Sequence, residues 1–179
     1  SPFAEDDGNE MFFKFTSFTK EPTTYRYDFA GDSMQVIRQA KTGLDMAKLK
    51  LYQIWFKSKD NTQVSMFVMH RKDLQLNGNN PTLLYGYGGF DVNLTSEFKF
   101  GIQPFLQHGG VYAVPNLRGG GEYGKEWHEM GMKASKQNVF DDFIGAAEWL
   151  IANQITSPAK LAIGGGSNGG LLVGAAMTQ

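Results

Sequence analysis

The sequence predicts an α/β domain with parallel strands, preceded by a stretch of antiparallel β-structure. Three observations carry this reading. Between about Met11 and Gln39 apolar and polar residues alternate with period 2. After Pro81, short apolar runs alternate with helical patterns. Leu161–Met177 reads as a strand, a sharp glycine turn and a helix.

The elements follow in chain order. Phe13 and Phe15 alternate with polar neighbours, and Tyr25, Tyr27 and Phe29 share a face opposite Thr24, Arg26 and Asp28. This is strand patterning, and Lys20-Glu21-Pro22 is expected as the turn between the runs. A polar link spans Lys41 to Lys48. Leu51–Phe56 and Val64–His70 read as strands joined by the turn-rich Ser58-Lys59-Asp60-Asn61. Thr82–Tyr87 is expected as a short strand running into glycines, Ser96–Gln107 as a helix, and Gly110–Pro115 as another strand. From Asn138 to Asn153, the residues Phe140, Phe143, Ile144, Ala147, Leu150 and Ile151 recur at helical spacing. Asn138 is expected to cap this helix and Asp141 to sit in its first turn. Leu161-Ala162-Ile163 reads as a buried strand, and a helix is expected from Leu171 onward. A strand–helix–strand alternation of this kind implies parallel pairing through helical crossovers.

Composition narrows the function classes. The formal net charge is −1, so no overall field favours nucleic acid or an anionic membrane surface. No apolar run reaches the roughly 18 residues of a membrane span. There is no cysteine, which excludes disulfides, thiolate metal sites and a cysteine nucleophile, and suits a reducing, cytoplasmic compartment. The polar, acidic stretch Ser1–Glu10 does not read as a signal peptide and begins without Met, so the chain is expected to be a segment of a longer one. Asn93-Leu94-Thr95 matches the glycosylation acceptor pattern, a triplet that is common by chance.

The chemistry concentrates at Gly165-Gly166-Ser167-Asn168-Gly169. Gly165, Ser167 and Gly169 fill G-x-S-x-G between a strand and a helix. A serine at the tip of such a turn has its Oγ exposed at a helix N-terminus, and small neighbours are needed because the backbones run close. Ser167 is therefore the candidate nucleophile. Gly164, Gly166 and Gly169 also satisfy G-x-G-x-x-G, the dinucleotide-binding pattern. Several strands precede this unit, whereas that pattern normally opens the first one, and the serine at the tip has no role there. Earlier in the chain, Tyr85-Gly86-Tyr87-Gly88-Gly89-Phe90 follows a strand, where hydrolases of this architecture build half an oxyanion hole. Other patterns fail. Gly119–Lys125 spells G-x-x-x-x-G-K, but Glu126 stands where a magnesium-binding hydroxyl is needed. His128-Glu129 begins a zinc-protease pattern, but Met132 replaces its second histidine. His70, His108 and His128 show no ligand spacing, and no metal or other cofactor is implied.

Four motifs together resemble the prolyl oligopeptidase family: Tyr85–Phe90 (YGYGGF), Asn116–Gly124 (NLRGGGEYG), Lys136–Phe143 (KQNVFDDF) and Gly165–Leu172 (GGSNGGLL). The resemblance runs from about Met11 to the end. It implies that residues 1–45 are the last strands of a β-propeller and that residues 46–179 are the N-terminal part of an α/β-hydrolase catalytic domain. It implies a serine peptidase acting on short proline-containing peptides, with Ser167 as nucleophile, Tyr87 and the Asn168 peptide N–H as oxyanion donors, and Phe90 lining the proline pocket. In this fold the triad runs Ser, Asp, His along the chain. All three histidines precede Ser167, so the chain is expected to lack its base, to be inactive alone and to need the rest of the parent polypeptide. A basic-specific oligopeptidase or an esterase on the same scaffold, and a non-catalytic fragment, are the alternative readings.

Overall fold

The computed structural model describes residues 2–4, 8–42 and 45–179. They divide into two compact units, one comprising the described residues up to Ala47 with Ser96–Gln103, the other Lys48–Thr95 with Pro104–Gln179.

In the first unit β1 (Phe3–Ala4), β2 (Glu10–Ser17), β3 (Lys20–Asp28) and β4 (Ser33–Gln39) form an antiparallel sheet in that order. The period-2 pattern places Phe13 opposite Tyr25, and their rings stack with centroids 5.3 Å apart. The expected turn lies elsewhere. Ser17 pairs with Lys20, so the chain reverses at Phe18-Thr19, and Pro22 sits inside β3. Proline has no N–H to give a ladder, and Pro22 falls opposite the register shift between Phe15 and Ser17, where none is required. The helix expected over Ser96–Gln107 starts late. Ser96 Oγ accepts the Phe18 N–H at 2.9 Å and Thr16 Oγ1 accepts the Phe98 N–H at 3.3 Å. These bonds hold the segment extended as far as Lys99, and helical structure begins only at Phe100, continuing into α1 (Gln103–Gln107).

The second unit holds a five-stranded sheet. Its strands are β5 (Leu49–Lys57), β6 (Gln63–Arg71), β7 (Thr82–Tyr85), β8 (Val111–Pro115) and β9 (Leu161–Gly164), in the order β5-β6-β8-β7-β9. β5, β6 and β8 pair antiparallel, while β7 runs parallel to both β8 and β9, as helical crossovers require. β9 is less buried than its apolar sequence predicts, with Ala162 exposed, because it is the edge strand and pairs only with β7.

Against β5 packs α3 (Gln137–Ala152). Its buried stripe is Val139, Phe143, Ala146 and Leu150, packed on Val64, Met66, Val68, Leu84 and Ala113. Phe143 and Leu150 were expected there, but the stripe is centred further round the helix than Phe140, Ile144, Ala147 and Ile151 predict. The cause is Asp142, fully buried on that face. Asn138 does not cap the helix. Lys136 stands at the N-cap, the first turn has no acidic residue, and Asn138 Nδ2 donates to the Met130 carbonyl at 2.8 Å.

Asp142 is on the inside because Arg118 is. Arg118, just beyond β8, has no exposed side-chain surface. Its Nη2 lies 2.6 Å from Asp142 Oδ1 and its Nε 3.0 Å from Oδ2, which also accepts the Arg118 peptide N–H at 3.0 Å. The other edge of the guanidinium reaches the β5–β6 turn, with Nη1 2.6 Å from Asp60 Oδ2 and Nη2 3.2 Å from Ser58 Oγ. The hydrogen bond from Arg118 pulls the Asp60 carboxyl down to about 2. Removing one partner of a buried pair strands the other charge, at about 3–5 kcal/mol. Asp142→Ala should lose that much unfolding free energy in urea titration, and a loss below about 1 kcal/mol would show the pair to be dispensable.

Candidate active site

β7 and β9 lie side by side and parallel, with Tyr85 level with Gly164, so their carboxyl ends deliver two glycine-rich loops to the same place. The Gly86 N–H donates to the Gly164 carbonyl at 3.0 Å. Beyond that point only bare backbone fits. A Cβ on Gly169 would lie 2.5 Å from the Gly86 carbonyl oxygen, and one on Gly86 would lie 2.7 Å from both Leu172 Cδ2 and Phe143 Cε2. A Cβ on Gly165 would collide with the Gly169 carbonyl. Gly169 is thus demanded by packing against the neighbouring loop and Gly165 by the tightness of the turn itself, whereas a Cβ on Gly166 would meet open space.

Ser167 sits at the tip with φ 55° and ψ −118°, a conformation that a residue with a side chain rarely adopts. The Gly169 N–H on the Gly166 carbonyl (2.8 Å) and the Gly170 N–H on the Ser167 carbonyl (2.9 Å) hold it there. Ser167 is the N-cap of α4 (Asn168–Thr178), yet its Oγ makes no capping bond. A serine at that position ordinarily spends its hydroxyl on the helix. Here the strained backbone leaves the hydroxyl exposed and uncommitted. Asn168 is the first residue of the helix, so its peptide N–H is one the helix does not use.

Tyr87 is half-buried on the first loop. The loop is fastened to the elbow: Asn168 Nδ2 donates to the Tyr87 carbonyl at 2.6 Å, and Lys136 Nζ donates to the Gly88 carbonyl at 2.8 Å and to Asn168 Oδ1 at 3.3 Å. Burial holds the Lys136 ammonium below its ordinary pKa. Phe90 is 76% exposed and, like Asp91, has positive φ. It borders an open cavity of about 630 Å³ whose other walls include Asn168, Lys136, Met132, Leu171 and His128.

The loop's far side is stapled to the segment after β8. The Asp91 N–H donates to the Gly119 carbonyl at 3.2 Å, and His128 Nδ1 lies 2.7 Å from the same oxygen. Glu122 Oε1 accepts the Leu94 N–H at 2.8 Å, while Glu122 Oε2 is buried with no hydrogen-bond partner. Burial raises the Glu122 carboxyl, against the opposing effect of the Leu94 bond. His70 Nδ1 and His108 Nδ1 lie against the Arg71 and Pro104 carbonyls, and His128 Nδ1 also meets the Asp91 N–H, so no hydrogen bond of the three histidines involves Ser167. Among the described residues no cluster of His, Asp and Glu could hold a metal ion, and no helix is long and apolar enough to cross a membrane.

The geometry therefore unites Ser167, Asn168 and the Tyr87 loop at the ends of two parallel strands, with Phe90 at the rim. The prolyl oligopeptidase family profile matches residues 96–179. A prolyl endopeptidase of Elizabethkingia meningoseptica is 41% identical over 175 residues, which cover 98% of this chain and 25% of that protein.

The chain is similar along nearly its whole length to members of the prolyl oligopeptidase family.

A solved structure from a study of two prolyl endopeptidases superposes with a TM-score of 0.95 at 50% identity, over 99% of this chain and 26% of that one. Prolyl oligopeptidase B from Galerina marginata, bound to a 25-residue macrocyclization substrate, gives a TM-score of 0.94 at 38% identity, over 100% of this chain and 26% of that one. The chain spans about a quarter of the length of the curated relatives it matches. No role for Lys136, Asp142 or the half-buried Glu122 is legible in the sequence. The one available signal was an acid at position 142 inside an apolar helical stripe.

Two consequences can be measured. Glycine adopts positive φ without penalty, and strain of this kind is worth about 1–3 kcal/mol. Ser167→Gly should raise the unfolding free energy by about 1 kcal/mol; a decrease would mean that the serine conformation is relaxed. For Glu122 the folded pKa is raised, so its contribution is intact below the unfolded value and is lost as pH rises through the folded one. Glu122→Gln keeps the acceptor for Leu94 without the charge. It should melt higher than the parent at pH 7, with the gain vanishing in acid; an equal gain at both pH values would refute burial as the cause.

Proposed function

We propose that the whole protein is a serine peptidase that cleaves short peptides on the carboxyl side of proline through an acyl-enzyme. On this reading residues 46–179 are the N-terminal part of an α/β-hydrolase domain, and residues 1–45 are the end of a β-propeller. The observation that carries it is Ser167: a strained serine at a helix N-terminus, with its Oγ exposed and spent on no capping bond.

The chemistry follows from the parts. Ser167 Oγ attacks the scissile carbonyl carbon and loses its proton to a general base. The carbonyl oxygen becomes an anion, and the Asn168 peptide N–H and the Tyr87 hydroxyl donate to it. Donors placed for charge that develops only in the transition state lower the barrier selectively. Collapse of the adduct breaks the C–N bond, the departing amine takes the proton, and water then releases the acyl group by the same path in reverse. Phe90 at the rim suits the apolar ring of a proline. We assign the base to a histidine in the part of the protein that this chain does not cover. Each histidine present makes its hydrogen bonds elsewhere, and relatives are about four times as long. The near-neutral charge suits a peptide rather than a nucleic-acid substrate, and the lack of cysteine suits a cytoplasmic setting.

The test uses the whole protein with chromogenic prolyl, arginyl and simple ester substrates. The prolyl peptide should turn over fastest, and Ser167→Ala should abolish turnover. Tyr87→Phe should lower kcat by about 10²–10³ with little change in KM, as loss of one oxyanion donor does. Full turnover by Ser167→Ala would sink the assignment, and faster cleavage after arginine would replace prolyl specificity with basic specificity.

A further inference from the structure

We propose that Lys136 is a positioning residue for the oxyanion donors, fixing Tyr87 and Asn168 relative to one another through its bonds to the Gly88 carbonyl and the Asn168 side chain. This rests on the peptidase reading above.

The position of the lysine is costly. Lys136 is the N-cap of α3, where the helix dipole disfavours a cation, and burial disfavours its charge further. Among the described residues no carboxylate forms a salt bridge with it. What it holds instead is two dipoles, the Gly88 carbonyl at 2.8 Å and Asn168 Oδ1 at 3.3 Å. An ammonium can only donate. The Asn168 amide must therefore turn its oxygen to Lys136 and its NH2 to the Tyr87 carbonyl, 2.6 Å away. The result is a directional chain from Lys136 through the Asn168 side chain to the backbone of Tyr87, with a second arm to the next carbonyl along. The two residues that the reading assigns as donors are thus joined by the Asn168 side chain, and Lys136 holds that side chain and the carbonyl next after Tyr87. Gly88 has φ +60°, and a Cβ on Gly89 would lie 2.6 Å from Asn168 Nδ2, so the loop and the amide are already in contact when the lysine fixes them.

Without the ammonium, the Gly88 carbonyl and Asn168 Oδ1 lose their donor, and the amide can rotate. Neither bond that is lost involves Phe90 at the rim. The loss should thus fall on the transition state rather than on substrate binding.

In the whole protein, Lys136→Met, which keeps the apolar stem, should lower kcat for a prolyl substrate about 100-fold with KM within about threefold, the pattern for a misaligned oxyanion donor. Lys136→Arg, which keeps a donating cation, should recover most of that loss. Asn168→Ala retains the peptide N–H but cuts the link, and should cause a similar fall; in the double variant the two losses should not add. Full kcat in Lys136→Met overturns the proposal, as does strict additivity. If Lys136→Met does not fold, Asn168→Ala decides alone, and full kcat there overturns it. Activity in Ser167→Ala would instead count against the peptidase reading, so the two failures are distinguishable.

Discussion

A guanidinium with no exposed surface is the constraint around which the second unit is arranged. Arg118 cannot lose its charge, so its burial requires partners on every edge. Asp142 satisfies one edge from α3 and Asp60 with Ser58 satisfies another from the β5–β6 turn. The Asp142 carboxylate also accepts the Arg118 peptide N–H, so the chain leaving β8 is fixed in direction as well as position. Helix α3 can then dock in only one rotation, with Asp142 inward and Val139, Phe143, Ala146 and Leu150 beside it. That rotation aims the helix N-terminus, and with it Lys136, at the Gly88 carbonyl.

The same docking sets the tightness of the site. Phe143 fills the space against Gly86 on one side and Leu172 of α4 closes it on the other, so the Tyr87 loop and the serine elbow are pressed together at backbone distance. Once the loops are that close, the turn at Ser167 has no relaxed alternative. The positive φ is held by core packing and by the short bonds at Gly169 and Gly170. Strain at a functional tip persists only when its surroundings over-determine it, and here they do.

Much of this was legible in sequence because it is local. The elbow is written in five consecutive residues, and its glycines answer to sterics that any sequence of that form would meet. The parallel pairing of β7, β8 and β9 follows from the alternation of strands and helices. What failed was non-local. The rotation of α3 depends on Arg118, which lies 24 residues before Asp142. The extended run before Phe100 depends on bonds to Thr16 and Phe18, about 80 residues earlier. Pro22 misled for another reason: proline marks a turn by default, and only a register shift in the opposite strand makes room for it within a ladder. Lys136 lies within one of the family-like motifs but carries no chemical signature, since a single lysine before a helix reads as a solvated charge.

The electrostatics of the site separate ground state from transition state on the proposed reading. Asn168 begins α4, so its free N–H stands at the positive end of a helix dipole. Lys136 adds a full charge that meets carbonyl and amide dipoles but no carboxylate among the described residues, so its field is not cancelled locally. Glu122, the half-buried acid on the same loop assembly, has its carboxyl raised by burial. A neutral substrate carbonyl gains little from such an environment, whereas an oxyanion gains a great deal. An ammonium placed against a helix N-terminus, a cost to the fold by itself, is consistent with a site arranged around negative charge that exists only during reaction.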